Sequence, residues 1–232
     1  MNPVLHLAIA TAAFVGTHLL MSHPLRDGLV ARLGERGFQG AYSLVSVLTF
    51  GWLIWVARSF DDGEPAWIAP LWAWWPLSLL TLFASVLLVG SFAKNPALPH
   101  PGAQAGLAER EPIGVFAITR HPMNWGILLW ALVHLAAYGG AINLVIATGM
   151  GLLALLGSIG QDAKKRRLLG EPWRAWERRT SFVPFGALLA GRVRWGAATP
   201  SAVALLGGTA LWAVAHWLHV RAAGPFAYIP IG

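Results

Sequence analysis

Residues 120–134 read RHPMNWGILLWALVH, an Arg-His-Pro step that opens an apolar helix with a second histidine well inside it. An ionisable side chain within a membrane span is costly, and it marks a functional position whose partner should be named. The run around it, 122–138, is one of six windows close to the length and apolarity that a bilayer-crossing helix needs. The others are 3–22, 38–57, 71–92, 141–160 and 200–220, and none of the six contains Lys, Arg, Asp or Glu. With 56% hydrophobic and 12% charged residues, the chain is far from a soluble domain, which carries roughly 25% charged. The expected fold is an all-α integral membrane protein, a bundle of about six transmembrane helices with short amphipathic interfacial helices. Residues 1–232 would form a single transmembrane domain.

The net charge of +7 is explained by topology before any nucleic-acid partner is needed. Of the 17 Lys and Arg, loops 23–37, 93–121 and 161–199 hold three, three and nine; residues 58–70 and the C-terminus hold one each. The positive-inside rule then puts the three basic loops in the cytoplasm and both termini outside. The first apolar run has no basic residue ahead of it and is read as the first span, not as a cleaved signal. With no cysteine, disulfides, thiolate metal ligands and a cysteine nucleophile are excluded.

Ser22-His23-Pro24 reads as a helix break and restart, followed by an amphipathic segment with Leu25, Leu29, Val30 and Leu33 on one face. Trp52, Trp55, Trp67, Trp72, Trp74 and Trp75 form an interfacial aromatic belt at the outer side. Residues 93–121 are long enough for a lid or binding loop. Thr119 is expected to cap the fourth span, and Gly139-Gly140 to make a tight hairpin. Ala154 with Ser158, and Ala204 with Gly208, are four apart and let helices approach closely. Trp173 and Trp176, set among arginines, describe an interfacial segment that anchors the basic side.

Within the spans, acid/base work or metal binding falls to His6, His18, His134 and His216, with His219 at the outer edge. Two imidazoles from different helices can hold a haem iron inside a bundle. His121 and His134 differ by about 220° in helical phase and roughly 20 Å along the axis, so they belong to different sites. His121, with Arg120 and Asn124, suits an anionic or nucleotide-like group at a helix N-terminus. Arg120 equally suits a snorkelling interfacial role.

Three stretches, THLLMSHPLRDGLVARLGERGFQGAYSLVS, TRHPMNWGILLWALVHL and DAKKRRLLGEPWRAWERRTSFVPFG, occur in this order, and together they resemble the NnrU family of bacterial membrane proteins. The resemblance implies a bacterial inner-membrane protein associated with denitrification, through expression of nitrite and nitric oxide reductases. The same stretches are similar to the 15-cis-zeta-carotene isomerase family, whose members use haem b. That likeness places the metal ligands on His18 and His134 and implies a small hydrophobic or nitrogen-oxide ligand. The isomerase pattern has a cysteine three residues before the second histidine; here that position is Ala131. By depth alone, His134 pairs better with His6 or His216, because His18 lies roughly 12 Å nearer the inner face. The RHP step and GEPWRAW also resemble the isoprenylcysteine carboxyl methyltransferase superfamily, which would assign Arg120, His121 and Glu171 to S-adenosylmethionine. A third reading is a non-enzymatic, haem-bearing partner of a reductase assembly.

Overall fold

Asn2 opens the first helix: its side-chain oxygen accepts from the Val4 and Leu5 amides at 2.9 and 3.3 Å, and Pro3 takes the first position, where no N–H is needed. The computed structural model describes residues 2–93, 95–96 and 106–221. Helix α1 (Pro3–Ser22) stops before His23-Pro24, and α2 (Arg26–Ala57) follows after a short turn. Gly34 adopts φ 70° and ψ 169°, which breaks α2 into a short leading piece and a long apolar one. The leading piece is the amphipathic segment expected from the Leu25/Leu29/Val30/Leu33 spacing.

The remaining elements are α3 (Leu71–Gly90), α4 (Val115–Ile118), α5 (Pro122–Ala137), α6 (Ala141–Leu169), α7 (Glu171–Arg179), α8 (Gly186–Leu189), a 3-10 turn (Trp195–Ala198) and α9 (Ala202–Arg221). Among the described residues there is no strand, only an isolated antiparallel bridge between Ile68 and Tyr138. Five helices, α1, α2, α3, α6 and α9, are long and apolar enough to cross a membrane, and α5 is apolar but has 16 residues. Large apolar side chains such as Val47, Leu48, Trp72, Trp75, Val203 and Leu206 point outward, as lipid-facing surface does.

The helices pack in a row, α2 on α1, α1 on α6, α6 on α5, α5 on α3 and α3 on α9. Small residues let neighbouring backbones meet. A Cβ on Gly126 of α5 would lie 2.7 Å from the Ala84 carbonyl oxygen of α3. One on Gly208 of α9 would lie 2.7 Å from the Val86 Cα, and Ala204 is likewise buried. Ala154 and Ser158 of α6 are buried as the spacing predicts.

One end of the row is closed by backbone pairing between the α2–α3 loop and the Gly139-Gly140 hairpin. Gly139 N–H donates to Trp67 O (2.8 Å), Ala69 N–H donates to Ala137 O (2.8 Å), and the Asp62 carboxylate accepts from the Ile142 amide at the start of α6 (2.6 Å). Trp55, Trp72 and Trp75 of the expected belt are exposed. Trp74 instead turns inward to donate to Ala69 O (3.1 Å), and Trp52 donates to His6 Nε2 (3.2 Å).

The other end carries the basic residues and departs further from expectation. α6 does not stop with the apolar run at Gly160; it continues to Leu169, roughly 44 Å in all, and so lifts Gln161 to Arg167 clear of a hydrocarbon layer about 30 Å thick. Against that extension lies a small protein core made of Leu87, Leu107, Val115, Phe116, Ile118, Trp173 and Trp176. The two tryptophans are 0% and 1% exposed, so the expected interfacial anchor is corrected: they hold α7 onto protein, not onto lipid. Of the long loop read as a lid, residues 94 and 97–105 lie outside the described residues, and Leu107 is packed into the core.

Candidate functional site

The RHP step lies in an extended stretch between α4 and α5, pinned to residues 181–185. Arg120 N–H donates to Ser181 O (2.9 Å), Phe185 N–H to Ile118 O (2.8 Å) and Trp125 Nε1–H to Phe182 O (2.8 Å). Thr119 is not the cap of α5, a place taken by His121; its hydroxyl donates to Phe182 O (2.7 Å) and lies 3.3 Å from the His121 amide. This strap fixes the direction in which Arg120 and His121 point, which is toward α6.

Their partner there is Asp162. Arg120 donates through Nε (2.9 Å) and Nη2 (2.6 Å) to one carboxylate oxygen, and His121 Nε2 lies 2.8 Å from the other. His121 Nδ1 lies 3.2 Å from the Gln161 side-chain amide, and the Arg120 guanidinium sits 5.5 Å over the Phe182 ring. One turn into α5, Asn124 donates to Ser158 Oγ (2.8 Å). The side chains of Arg120, His121 and Asp162 are 10%, 0% and 5% exposed. Glu177 of α7 approaches Arg120 at 3.8 Å and pairs with Arg166 at 2.8 Å. Glu171 is exposed and pairs with Arg178, whose guanidinium holds its carboxyl below the usual carboxylate range.

Arg120, His121 and Asn124 are thus brought together, but facing inward onto α6. A buried charge is retained where it is paired and hydrogen-bonded, and this cluster meets that condition from its own side chains. An S-adenosylmethionine carboxylate at this point would have to displace Asp162. Sequence reasoning named Glu171 here and missed Asp162 and Glu177; Asp162 is the first charged residue after the apolar run of α6, which was the available signal.

The histidines fall into separate places. His18 faces α2: Nδ1 is 2.9 Å from Phe14 O, Nε2 is 3.2 Å from Ser46 Oγ, and the ring sits between Phe14 and Tyr42. His216 faces Ser78 of α3 (3.0 Å), and His6 meets Trp52. His134 lies toward the hairpin end of α5, with Nδ1 held by Trp130 O (2.8 Å) and its ring 6.1 Å from that of His219 on α9. His219 Nδ1 is held in the same way by Ala215 O (2.7 Å). The structure therefore does not bring His18 to His134, since α6 stands between their helices; it brings His219 there instead. No group of three or more metal-ligating His, Asp or Glu occurs among the described residues.

Two imidazoles from different helices can be enough to hold a haem iron, provided that the rings come close to one another. The His134 and His219 rings, 6.1 Å apart, meet that condition, whereas His18 and His134 stand on α1 and α5, which both pack on α6. Beside the His134–His219 pair opens an apolar cleft of about 330 Å³, whose lining includes Thr81, Ser85, Gly126, Trp130, Met150 and Ala215. Neither histidine lines the cleft; Trp130 and Ala215 do, and their carbonyls orient the two rings one helical turn further along α5 and α9.

Fold and site together define an all-helical protein of membrane type, with an ionic lock at its basic end and a histidine pair beside an apolar cleft. The sequence model of one family, described as NnrU protein, matches residues 6–225. The chain belongs to the NnrU family. It is similar to chloroplastic 15-cis-zeta-carotene isomerase of Arabidopsis thaliana, 26% identical over 176 residues that make up 72% of this chain and 46% of that protein. It is also similar to the Zea mays protein of the same name, 32% identical over 79 residues, 34% of this chain and 22% of that one. The chain thus spans less than half the length of these relatives. No solved structure matches it.

Proposed function

We propose that this protein crosses the bacterial inner membrane six times, α5 included, with its basic end in the cytoplasm and both termini periplasmic. We further propose that it binds haem b, which His134 and His219 would hold, and acts on a hydrophobic molecule that enters from the bilayer. The observation that carries the reading is the juxtaposition of the His134–His219 pair, 6.1 Å apart, with the apolar cleft between α3, α5 and α9. The likeness to zeta-carotene isomerases supports a cis–trans isomerisation of a polyene-like substrate, and the family's association with denitrification makes nitric oxide the small ligand to try.

Haem, when bound, would supply a redox-active iron able to bind a small ligand or a double bond. The chain's own residues do the rest. Trp130 O and Ala215 O accept from the Nδ1 side of each ring, fixing the tautomer that offers Nε2 to a metal. The apolar cleft would receive the apolar part of such a substrate. Ala131 stands where the isomerase pattern has a cysteine, so in this part of the chain the residues that would hold the haem are histidines.

The test is the oxidised and dithionite-reduced absorption spectrum of protein purified from haem-replete cells. The reading predicts near-stoichiometric haem b in the parent, loss in His134→Ala, a changed Soret band in His219→Ala and an unchanged one in His18→Ala. A colourless parent, or full haem in His134→Ala, would overturn haem ligation at this site. Loss in His18→Ala with retention in His219→Ala would restore the His18–His134 pairing.

A further inference from the structure

At the basic end, between α1, α2 and the extension of α6, lies a pocket of about 350 Å³ lined by Ser22, Arg26, Glu35, Phe38, Gln39, Tyr42, Gln161, Lys164, Lys165 and Leu168. Four of these residues are charged, and they do not balance. Arg26 and Glu35 form an ion pair with each other. Lys164 donates to the Ser22 carbonyl at the end of α1 (3.3 Å) and lies in the field of Arg26, Lys165 and Arg167, opposed by Asp27. Lys165 is 5% exposed, and among the described residues no carboxylate or hydrogen-bond acceptor partners its ammonium.

The helix macrodipole favours cations near the last turn of α6, but it does not account for these two. Arg166 and Arg167 follow them, turn outward and pair with Glu177 and Asp27. The lysines turn inward: Lys164 is half-buried and spends one donor on Ser22 O, and Lys165 is buried beside the Arg26 charge, so an anion that meets both ammonium groups would be favoured there. We propose that this pocket is an anion-binding site for a phosphate group, held by Lys164 and Lys165 with Arg26 at its edge. Phosphate offers several acceptor oxygens to ammonium donors, and charge-assisted bonds of this kind are the strong ones. Phe38, Tyr42 and Leu168 give the pocket an apolar wall beside the basic residues, which favours a lipid headgroup over free phosphate. The site is separate from the histidine pair, so it stands whether or not haem binds there.

Native mass spectrometry of the detergent-purified chain, with phosphatidylglycerol or phosphatidylcholine added, tests the proposal. The expected result is at least tenfold tighter retention of phosphatidylglycerol, reduced about tenfold in Lys165→Gln and largely kept in Lys165→Arg. Inorganic phosphate up to millimolar concentration separates the sources. If it competes away the lipid and binds alone, the site takes free phosphate; if it does neither while the lysine dependence holds, the occupant is a headgroup. Should Lys165→Gln fail to elute as a monodisperse species, Lys164→Gln carries the same comparison. Lysine variants that elute like the parent and hold phosphatidylglycerol within twofold of it would overturn the site.

Discussion

Asp162→Asn is the perturbation whose outcome the structure fixes most tightly. The carboxylate accepts two bonds from Arg120, at 2.9 and 2.6 Å, and faces His121 Nε2 at 2.8 Å, with all three side chains at or below 10% exposure. The asparagine amide keeps the volume and one acceptor but removes the charge, leaving the Arg120 guanidinium with Glu177 at 3.8 Å as its nearest carboxylate. Breaking one side of a buried pair costs about 3–5 kcal/mol. At this chain length each kcal/mol moves Tm by about 2–4 °C, so the expected fall is roughly 6–20 °C. The assay is the fraction of monodisperse protein surviving a temperature series in detergent. Arg120→Met combined with Asp162→Leu removes both charges, and such a replacement is often neutral, so it should recover at least half of the loss. A fall of less than about 2 °C for Asp162→Asn would refute the reasoning and return Arg120 and His121 to ligand binding.

Three other outcomes are expected. Gly126→Ala puts a methyl 2.7 Å from the Ala84 carbonyl oxygen, so α5 and α3 must part, costing about 1–3 kcal/mol by thermal unfolding; an unchanged Tm would contradict this packing. Trp173→Ala empties a fully buried site in the basic-end core and should cost about 3–5 kcal/mol, whereas an indole lying on lipid would lose far less in the same thermal series. Burial, and then the Lys164 ammonium, hold the His23 imidazole below its ordinary value of 6.5. The unfolded chain then binds the extra proton first, so this contribution to stability is present above pH 6.5 and lost as pH falls toward the folded value. Tm measured from pH 7.5 to 5 should fall less in His23→Gln than in the parent.

The fold was largely legible because its signals are local. The apolar windows, the Ser22-His23-Pro24 break, the Gly139-Gly140 hairpin and the small residues at Ala154, Ser158, Ala204 and Gly208 can each be read within a few residues. The long extension of α6 was not, because the charge at Asp162 ends an apolar window without ending a helix. Trp173 and Trp176 were placed on lipid because spacing reveals an amphipathic face but not what covers it. The site was hardest, since it depends on which helices are neighbours. The row order puts α6 between the helices of His18 and His134 and brings α9 across α3, which sets the His219 ring beside that of His134. Glu177 was missed for the same reason, its approach to Arg120 arising only when α7 folds back on the α6 extension.

The shortness of α5 links the two ends. At 16 residues it is roughly 24 Å long, less than a hydrocarbon layer of about 30 Å. A free helix of that length would tilt the balance toward thinning the bilayer around it. Here its ends are met by protein instead. At the hairpin end the Ile68–Tyr138 bridge and the Ala69–Ala137 bond supply backbone partners, and at the basic end Thr119 and Arg120 are bonded to residues 181 and 182. Non-helical backbone at membrane depth is tolerated where protein buries it, so these two closures would allow the proposed crossing by so short a helix. They also set its height. Lengthening α5 by a turn at either end would break one strap or the other, and the straps hold the RHP step against Asp162 and His134 level with His219. The ionic lock therefore helps to set the position of α5 and of His134 on it, so under the proposed haem reading a lock variant that still folds should show its defect as an altered haem spectrum.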